Sequence, residues 1–108
     1  MLVTRPRLGV ALALLLCAPL ARAAAPGAVV IDNFSFGPGS LTVAPGTQVT
    51  WTNHDDDPHT VVSAASTPLF KSAALDTDES FSFVFAEKGT YKYFCTIHPQ
   101  MQGTVIVE

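Results

Sequence analysis

Residues 90–101 read TYKYFCTIHPQM. In the first half of this stretch every second residue is Tyr or Cys, and three potential metal ligands lie between its middle and its end. The alternation of its first half predicts a β-strand with one buried face. Cys95, His98 and Met101 then follow at intervals of three residues at the end of that strand. If the chain makes a tight loop there, a thiolate, an imidazole and a thioether converge on one point. This soft set of donors selects copper rather than magnesium or calcium.

A fourth ligand has to come from elsewhere in the chain, and His59 is the natural candidate. It follows Pro58, whose fixed φ angle stiffens the loop, and it precedes the run Thr60–Val62. Two histidines, one cysteine and a weakly bound methionine form the ligand set of a blue-copper electron-transfer site. Considered singly, each of these residues has a simpler interpretation. His59 would be an ordinary core or surface histidine, Met101 a core residue and Cys95 a buried apolar residue. Their combined spacing favours the copper site.

From Pro26 onward the chain has the period-two pattern of strands and no convincing amphipathic helix. Turns that contain Gly and Pro separate the alternating runs at short intervals, which predicts an all-β sandwich or barrel. Lys88-Gly89 is predicted to close a hairpin between strands at 81–86 and 90–95. Residues 63–78 are less regular and are compatible with a loop, an edge strand or a short helical turn.

The first 24 residues have the pattern of a secretory signal peptide. Two arginines form a basic start, an apolar run follows, and Ala21-Arg22-Ala23 supplies small residues for a cleavage site. The apolar run is shorter than the ~20 residues that span a bilayer, which argues against a membrane anchor. No small residue stands just before Cys17, which argues against lipidation there. We therefore expect residues 1–24 to be the signal peptide and residues 25–108 to be one exported domain.

Charge and cysteine content narrow the function classes open to residues 25–108. This part contains three Lys and all nine acidic residues, a net charge of −6 compared with −3 for the whole chain. This balance argues against nucleic-acid binding, which needs a basic face that neutralises phosphates. Cys95 is the one cysteine beyond the predicted signal peptide. A lone thiol in an oxidising compartment needs burial, a partner chain or a metal.

Two motifs carry a family resemblance that covers most of residues 30–108: Trp51-x-Asn53 followed by Pro58-His59-x-Val61, and Gly89-Thr90-Tyr91-x-Tyr93-x-Cys95-Thr96-x-His98-Pro99-x-Met101-x-Gly103-x-Val105. They resemble the copper-binding segments of the cupredoxins, most of all those of the amicyanins, with plastocyanins and pseudoazurins as further relatives. After removal of the predicted signal peptide, the chain is expected to lack the extended N-terminal segment of the amicyanins. It also carries three aspartates before His59, unlike that family. The resemblance implies a Greek-key β-sandwich or barrel of about seven to eight strands. It also implies one copper ion that cycles between Cu(II) and Cu(I).

The resemblance further implies roles for individual residues. The copper ligands would be His59, Cys95, His98 and Met101, with the methionine as a long axial contact. Asn53 would tie the His59 loop to the Cys95 loop. The backbone N–H of Thr60 would donate to the sulfur of Cys95 and so raise the reduction potential.

The function implied by the resemblance is that of a periplasmic electron carrier rather than an enzyme. Its partners would be larger redox proteins (a dehydrogenase, a cytochrome or an oxidase) that dock transiently near His98. No nucleic-acid partner and no membrane span are expected, and the carrier would be a monomer. The expected docking rim contains apolar and acidic residues: Pro68, Leu69, Pro99, Asp55, Asp56 and Asp57.

Several alternatives stay open at this point. The run Asp55–Asp57 is compatible with three interpretations. It would be a solvated loop, an acidic rim that steers a basic partner, or, together with His54, a second site for a harder metal ion. The whole protein is an electron carrier, a periplasmic copper carrier or storage protein without a redox role, or a β-sandwich interaction module that binds no metal.

Overall fold

The computed structural model describes residues 25–108, so the predicted signal peptide lies outside the described residues. The described chain forms eight strands: β1 (Gly27–Asp32), β2 (Ser35–Gly37), β3 (Ser40–Val43), β4 (Thr47–Asn53), β5 (Val62–Ser63), β6 (Ser80–Phe85), β7 (Gly89–Phe94) and β8 (Gln102–Val107). Within residues 25–108, no helix has the length and apolar character needed to cross a membrane.

The strands form two four-stranded sheets, with the orders β2-β1-β4-β6 and β3-β8-β7-β5. The pairs β1–β4 and β3–β8 are parallel, and the other pairs are antiparallel. From β2 to β7, every connection crosses from one sheet to the other. The predicted all-β sandwich of seven to eight strands is confirmed.

The hairpin predicted around Lys88-Gly89 is wrong. β6 pairs with β4 in one sheet, whereas β7 pairs with β8 and β5 in the other. The turn therefore connects the two sheets, and Phe85 and Tyr91 pack on each other with ring centroids 5.1 Å apart. In the sequence, a short turn between two alternating runs looks the same whether the runs pair edge to edge or face each other across a core.

Residues 63–78, for which the sequence is compatible with three structures, begin with the last residue of β5 and continue as a loop. Two isolated β-bridges hold this loop, one between His59 and Leu75 and one between Val62 and Lys71. The N–H of His59 donates to the carbonyl of Leu75 at 3.1 Å, and the N–H of Leu75 donates back at 2.7 Å. The loop thus fixes the backbone of a predicted metal ligand.

The core is built around Trp51, which is fully buried. Alternation along β4 turns Trp51 and Asn53 to the inner face of the sheet, as the sequence pattern predicts. The Trp51 ring stacks on Phe70 at 5.8 Å and meets Tyr93 of the other sheet edge to face at 5.3 Å. Buried aromatic rings contribute large contact areas to a core. Trp51 therefore joins the two sheets just before the chain leaves β4 at Asn53.

Gly103 provides a test of this packing. It lies opposite Tyr93 in the β7–β8 pair, and a Cβ atom at Gly103 would lie 2.3 Å from the buried Tyr93 ring. We expect Gly103→Ala to lower the free energy of unfolding by about 1–3 kcal/mol through overpacking. Chemical denaturation measures the change. Gly39→Ala, where the nearest atom is 3.8 Å away, serves as the control. Equal stabilities of Gly103→Ala and the unaltered protein would contradict the described fit of the ring.

Candidate metal centre

The candidate metal centre lies at the end of the sandwich where β4 and β7 end. Cys95 is the first residue after β7, and two backbone hydrogen bonds close the loop that leads to β8. The N–H of Cys95 donates to the carbonyl of Met101 at 3.1 Å, and the N–H of Met101 donates to the carbonyl of His98 at 2.9 Å. The tight loop on which the sequence prediction depends is therefore present. His59 approaches from the segment that follows β4.

The predicted ligands come together in this structure. The donor atoms of His59, Cys95 and His98 all lie within 4.8 Å of one another. The sulfur of Cys95 is 3.8 Å from Nδ1 of His59 and 3.9 Å from Nδ1 of His98. Cys95 and His59 are fully buried and Met101 is 3% exposed, whereas His98 is half-buried. His98 is consequently the candidate ligand nearest to solvent.

The surroundings of Cys95 favour its thiolate form. Burial alone raises the pKa of the thiol, because a charged sulfur loses its hydration. Hydrogen bonds from the backbone N–H groups of Thr60 and His98 and from the imidazoles of His59 and His98 outweigh burial, and the pKa falls to about 6. At neutral pH the sulfur is therefore mostly in the form that binds metal ions.

Thr60 connects the two loops that carry the ligands. Its N–H donates to the sulfur of Cys95 at 3.3 Å, the bond that the family resemblance implied. Its hydroxyl oxygen accepts the N–H of Thr96 at 2.7 Å and lies 2.7 Å from the Thr96 hydroxyl. Because Thr60 follows His59 and Thr96 follows Cys95, these bonds hold the two ligand loops directly against each other.

The structure corrects the role expected of Asn53. Its Nδ2 donates to the carbonyl of Asp57 at 2.9 Å and to that of Leu75 at 2.8 Å, and its Oδ1 accepts the N–H of Asp55 at 2.9 Å. All three bonds stay on the His59 side of the site, and none reaches the Cys95 loop. Asn53 shapes the loop before His59, and Thr60 makes the connection that was expected of Asn53.

Asp55 is turned inward, toward His59. Its Oδ2 lies 2.8 Å from Nε2 of His59, and its carboxylate also accepts the N–H groups of Asn33 at 2.7 Å and Phe34 at 2.9 Å. The N–H of Phe34 is the largest influence and lowers the pKa of Asp55. Burial raises that pKa, while His59 and Asn33 lower it further. The net lowering keeps this carboxylate ionised at neutral pH.

The other residues expected at the docking rim lie at the surface. Asp56, Asp57, Pro68 and Pro99 are exposed, and Leu69 is 56% exposed. Leu69 lines a surface groove with Phe83 and Tyr91, whereas Pro99 adjoins His98 in the chain.

Phe34 belongs to the site, although the sequence pattern does not predict it. Its ring centroid is 5.3 Å from that of His59 and 5.1 Å from that of His98, edge to face in both cases. Asn33 and Phe34 form the turn between β1 and β2, with φ angles of +50° and +56°. The one sequence signal for this turn is Asn33, since Asn is common in the left-handed region. Spacing gives no indication that the next side chain covers the two histidines.

The donor set fits copper. A thiolate and two imidazole nitrogens converge, and the thioether of Met101 is on the residue that closes the same loop. Sulfur and nitrogen donors of this kind suit copper, whereas magnesium and calcium prefer oxygen donors. The carboxylate of Asp55 faces Nε2 of His59, the nitrogen remote from the sulfur, and so supports a ligand rather than joining the set.

The connection made by Thr60 can be tested by Thr60→Val, which keeps the shape and removes the hydroxyl. The N–H of Thr96 then loses its acceptor, and we expect the free energy of unfolding of the metal-free protein to fall by about 0.5–1.5 kcal/mol. Chemical denaturation measures the change, and Thr52→Val on the outer face of β4, where the hydroxyl meets Ser80, is the control. A loss no larger than that of the control would contradict the role of this hydroxyl.

Comparisons with known proteins agree with this site. The family model of the cupredoxin-like domain matches residues 7–107. Amicyanin of Paracoccus denitrificans is 37% identical over 89 residues, covering 78% of this chain and 68% of the relative. Plastocyanin of Scenedesmus fuscus is 36% identical over 84 residues, covering 68% and 86%. A purple cupredoxin from Nitrosopumilus maritimus has a similar structure, with a TM-score of 0.72 and 36% identity over 76% of this chain and 99% of that one. With its fold, its ligand cluster and these relatives in agreement, the chain belongs to the cupredoxin family.

Proposed function

We propose that His59, Cys95, His98 and Met101 hold one type 1 copper ion and that the protein carries single electrons between redox partners. Copper supplies the chemistry by alternating between Cu(II) and Cu(I). The observation that carries the proposal is the cluster itself. A buried sulfur with a pKa of about 6 faces Nδ1 atoms of two histidines at 3.8 and 3.9 Å.

The protein scaffold keeps these side chains in place by contacts that do not involve a metal. The backbone of His59 pairs with Leu75, Thr60 joins the two ligand loops, and the loop of Cys95 closes on itself through Met101. A site that is organised in advance needs little rearrangement when charge arrives or leaves. Fast electron exchange benefits from this rigidity.

We further propose that partners dock around His98. This ligand is half-buried, and the large apolar side chains of Ile97 and Phe34 near it are 46% and 42% exposed. Pro99 is exposed beside them. A small apolar surface of this kind suits the weak, transient contacts of electron-transfer complexes. A dehydrogenase, a cytochrome or an oxidase fits this role.

Export completes the proposal. Residues 1–24 would direct the chain to the periplasm and be removed, leaving residues 25–108 as the electron carrier. The basic start, the short apolar run and the small residues near Ala23 support this assignment. Cys95 would then be the single cysteine in an oxidising compartment, where copper protects its thiolate.

Copper binding is tested by adding Cu(II) to metal-free protein. We expect one equivalent to give an intense blue colour that a mild reductant bleaches reversibly. Cys95→Ser should lose the colour, because the thiolate is its source, while Gln100→Ala in the same loop should keep it. Absorption and electron paramagnetic resonance spectra follow the titration. A colourless copper complex would favour a carrier or storage protein, and the absence of copper binding would favour a metal-free interaction module.

The acidic residues of the expected docking rim allow a test of whether their charge attracts cationic redox partners. Asp56 and Asp57 are exposed, so we expect Asp56→Asn with Asp57→Asn to slow oxidation of the reduced protein by a cationic cobalt complex roughly two- to tenfold at low salt. The effect should shrink at high salt, because counterions screen exposed charges. Stopped-flow kinetics measure the rates.

The matched control removes two acids at the opposite end of the sandwich. Glu87→Gln with Glu108→Gln changes the net charge equally, and it should leave the rate with the cationic oxidant nearly unchanged. Anionic ferricyanide should not be slowed by the Asp56 and Asp57 changes. Equal effects of both pairs of substitutions, or no dependence on salt, would leave the rim without a steering role.

A further inference from the structure

The backbone of the β1–β2 turn has a conformation that its second residue, Phe34, does not favour. Asn33 and Phe34 both have positive φ angles, +50° and +56°. A two-residue turn of this kind usually has Gly at its second position, because a bulky side chain is unfavourable in the left-handed region. Phe34 nevertheless occupies that position and is 42% exposed. Strain of this kind persists where surrounding contacts impose it, and it often marks a functional site.

Asp55 supplies the contacts that impose the turn. One carboxylate oxygen accepts the N–H of Asn33 at 2.7 Å and the other accepts that of Phe34 at 2.9 Å. Asp55 is itself fixed at both ends of its backbone. Its N–H donates to Oδ1 of Asn53 at 2.9 Å, and its carbonyl accepts the hydroxyl of Thr77 at 2.7 Å. The carboxylate therefore clamps the turn from a rigid position on another loop.

The same carboxylate also orients His59. Oδ2 of Asp55 lies 2.8 Å from Nε2 of His59, which leaves Nδ1 of that ring facing the sulfur of Cys95. An ionised carboxylate accepts a proton-bearing nitrogen, so this contact selects the tautomer with hydrogen on Nε2 and a free lone pair on Nδ1. Carboxylates that orient a metal-binding histidine in this way raise metal affinity.

The ring of Phe34 packs against both histidines at the same time. Its centroid is 5.3 Å from His59 and 5.1 Å from His98, and the two imidazole centroids are 5.0 Å apart. The three rings thus form a compact triangle at the edge of the ligand cluster, and His98 is its half-buried member. An apolar ring in this place excludes water and small anions from the side of the site that it covers.

We propose that Asp55 and Phe34 act together as a seal on the metal site: Asp55 orients His59 and clamps the strained turn, and the turn holds the Phe34 ring against both histidines so that copper is retained. This proposal deepens the proposed function, on which its copper measurements rest. Asp55 and Phe34 are positioning residues, since both act through the histidines. The strain at Phe34 is the cost of placing an aromatic ring where a glycine would relax the turn.

Copper release is the first test, with EDTA in excess as the acceptor for copper from the Cu(II)-loaded protein. We expect Asp55→Ala to lower copper affinity about 10- to 100-fold and therefore to release copper to EDTA faster than the unaltered protein does. Phe34→Gly should release copper several-fold faster, although relief of the strained φ angle offsets the lost ring contacts and leaves the melting temperature of the metal-free protein nearly unchanged. Phe34→Leu, which keeps an apolar side chain, should recover part of the retention. Asp32→Ala, one residue before the turn and exposed, removes the same charge as a control.

The double variant tests whether the two residues form one device. If Asp55 holds Phe34 in place, Asp55→Ala with Phe34→Gly should release copper no faster than Asp55→Ala alone. Multiplicative effects of the two changes would overturn the seal. Release from Phe34→Gly at the unaltered rate, or from Asp55→Ala at the rate of Asp32→Ala, would also overturn it.

A measurement without copper separates this proposal from the proposed function. Nitrogen-15 NMR of the metal-free protein reports which ring nitrogen of His59 carries hydrogen. We expect Nε2–H in the unaltered protein and in Asp32→Ala, and a mixture of tautomers in Asp55→Ala. Nδ1–H in the unaltered protein would overturn the clamp even if copper binds. If copper does not bind but the Nε2–H tautomer depends on Asp55, the clamp stands and the proposed function fails.

Discussion

The stabilisation of one buried sulfur atom is the constraint on which this end of the protein depends. Cys95 is fully buried, and burial by itself would keep the thiol neutral. The thiolate exists at neutral pH because donors from two separate loops reach the same atom. The N–H of Thr60 comes from one loop, and that of His98 comes from the other. Any change that separates the loops therefore removes both the negative charge on the sulfur and the geometry that receives a metal.

The sandwich positions the two ligand loops, because strands of opposite sheets pack together just below the site. Trp51 of β4 and Tyr93 of β7 pack edge to face at 5.3 Å, two residues before Asn53 and Cys95. The positions of the ligand loops are thus set by a large aromatic contact, and the finer adjustment is made by the hydrogen bonds of Thr60. Gly103 permits the close approach, since no side chain stands between β8 and the Tyr93 ring.

The local part of this arrangement could be predicted from the sequence, and the long-range part could not. Cys95, His98 and Met101 are close in the chain, so their spacing alone indicates a shared site. Alternation predicts the strands correctly, but it does not tell a hairpin from a connection between sheets. The sequence pattern at Lys88-Gly89 therefore predicts the wrong connection. The choice between these depends on which strand pairs with the edge of β6, and that strand is β4, from a distant part of the chain.

The residues that support the ligands follow the same rule. Asn53 and Thr60 both stand near His59 in the sequence, but only three-dimensional structure shows which of them reaches the other loop. Asp55 looks like its exposed neighbours in the sequence, yet its carboxylate turns inward to a segment 22 residues away. Its partner turn requires positive φ angles at Asn33 and Phe34, and residue types other than glycine give little indication of them.

The order of strands has a consequence for how the protein reaches this structure. β8 lies between β3 and β7, and its parallel pairing joins Ser40 to Thr104, residues far apart in the chain. Such pairings close long loops and make folding slow. The ligand loop directly precedes β8, and the N–H of Cys95 donates to Met101 just before that strand, so the surroundings of Cys95 are complete only when β8 is paired. Completion of the metal site is thus coupled to a pairing between distant parts of the chain.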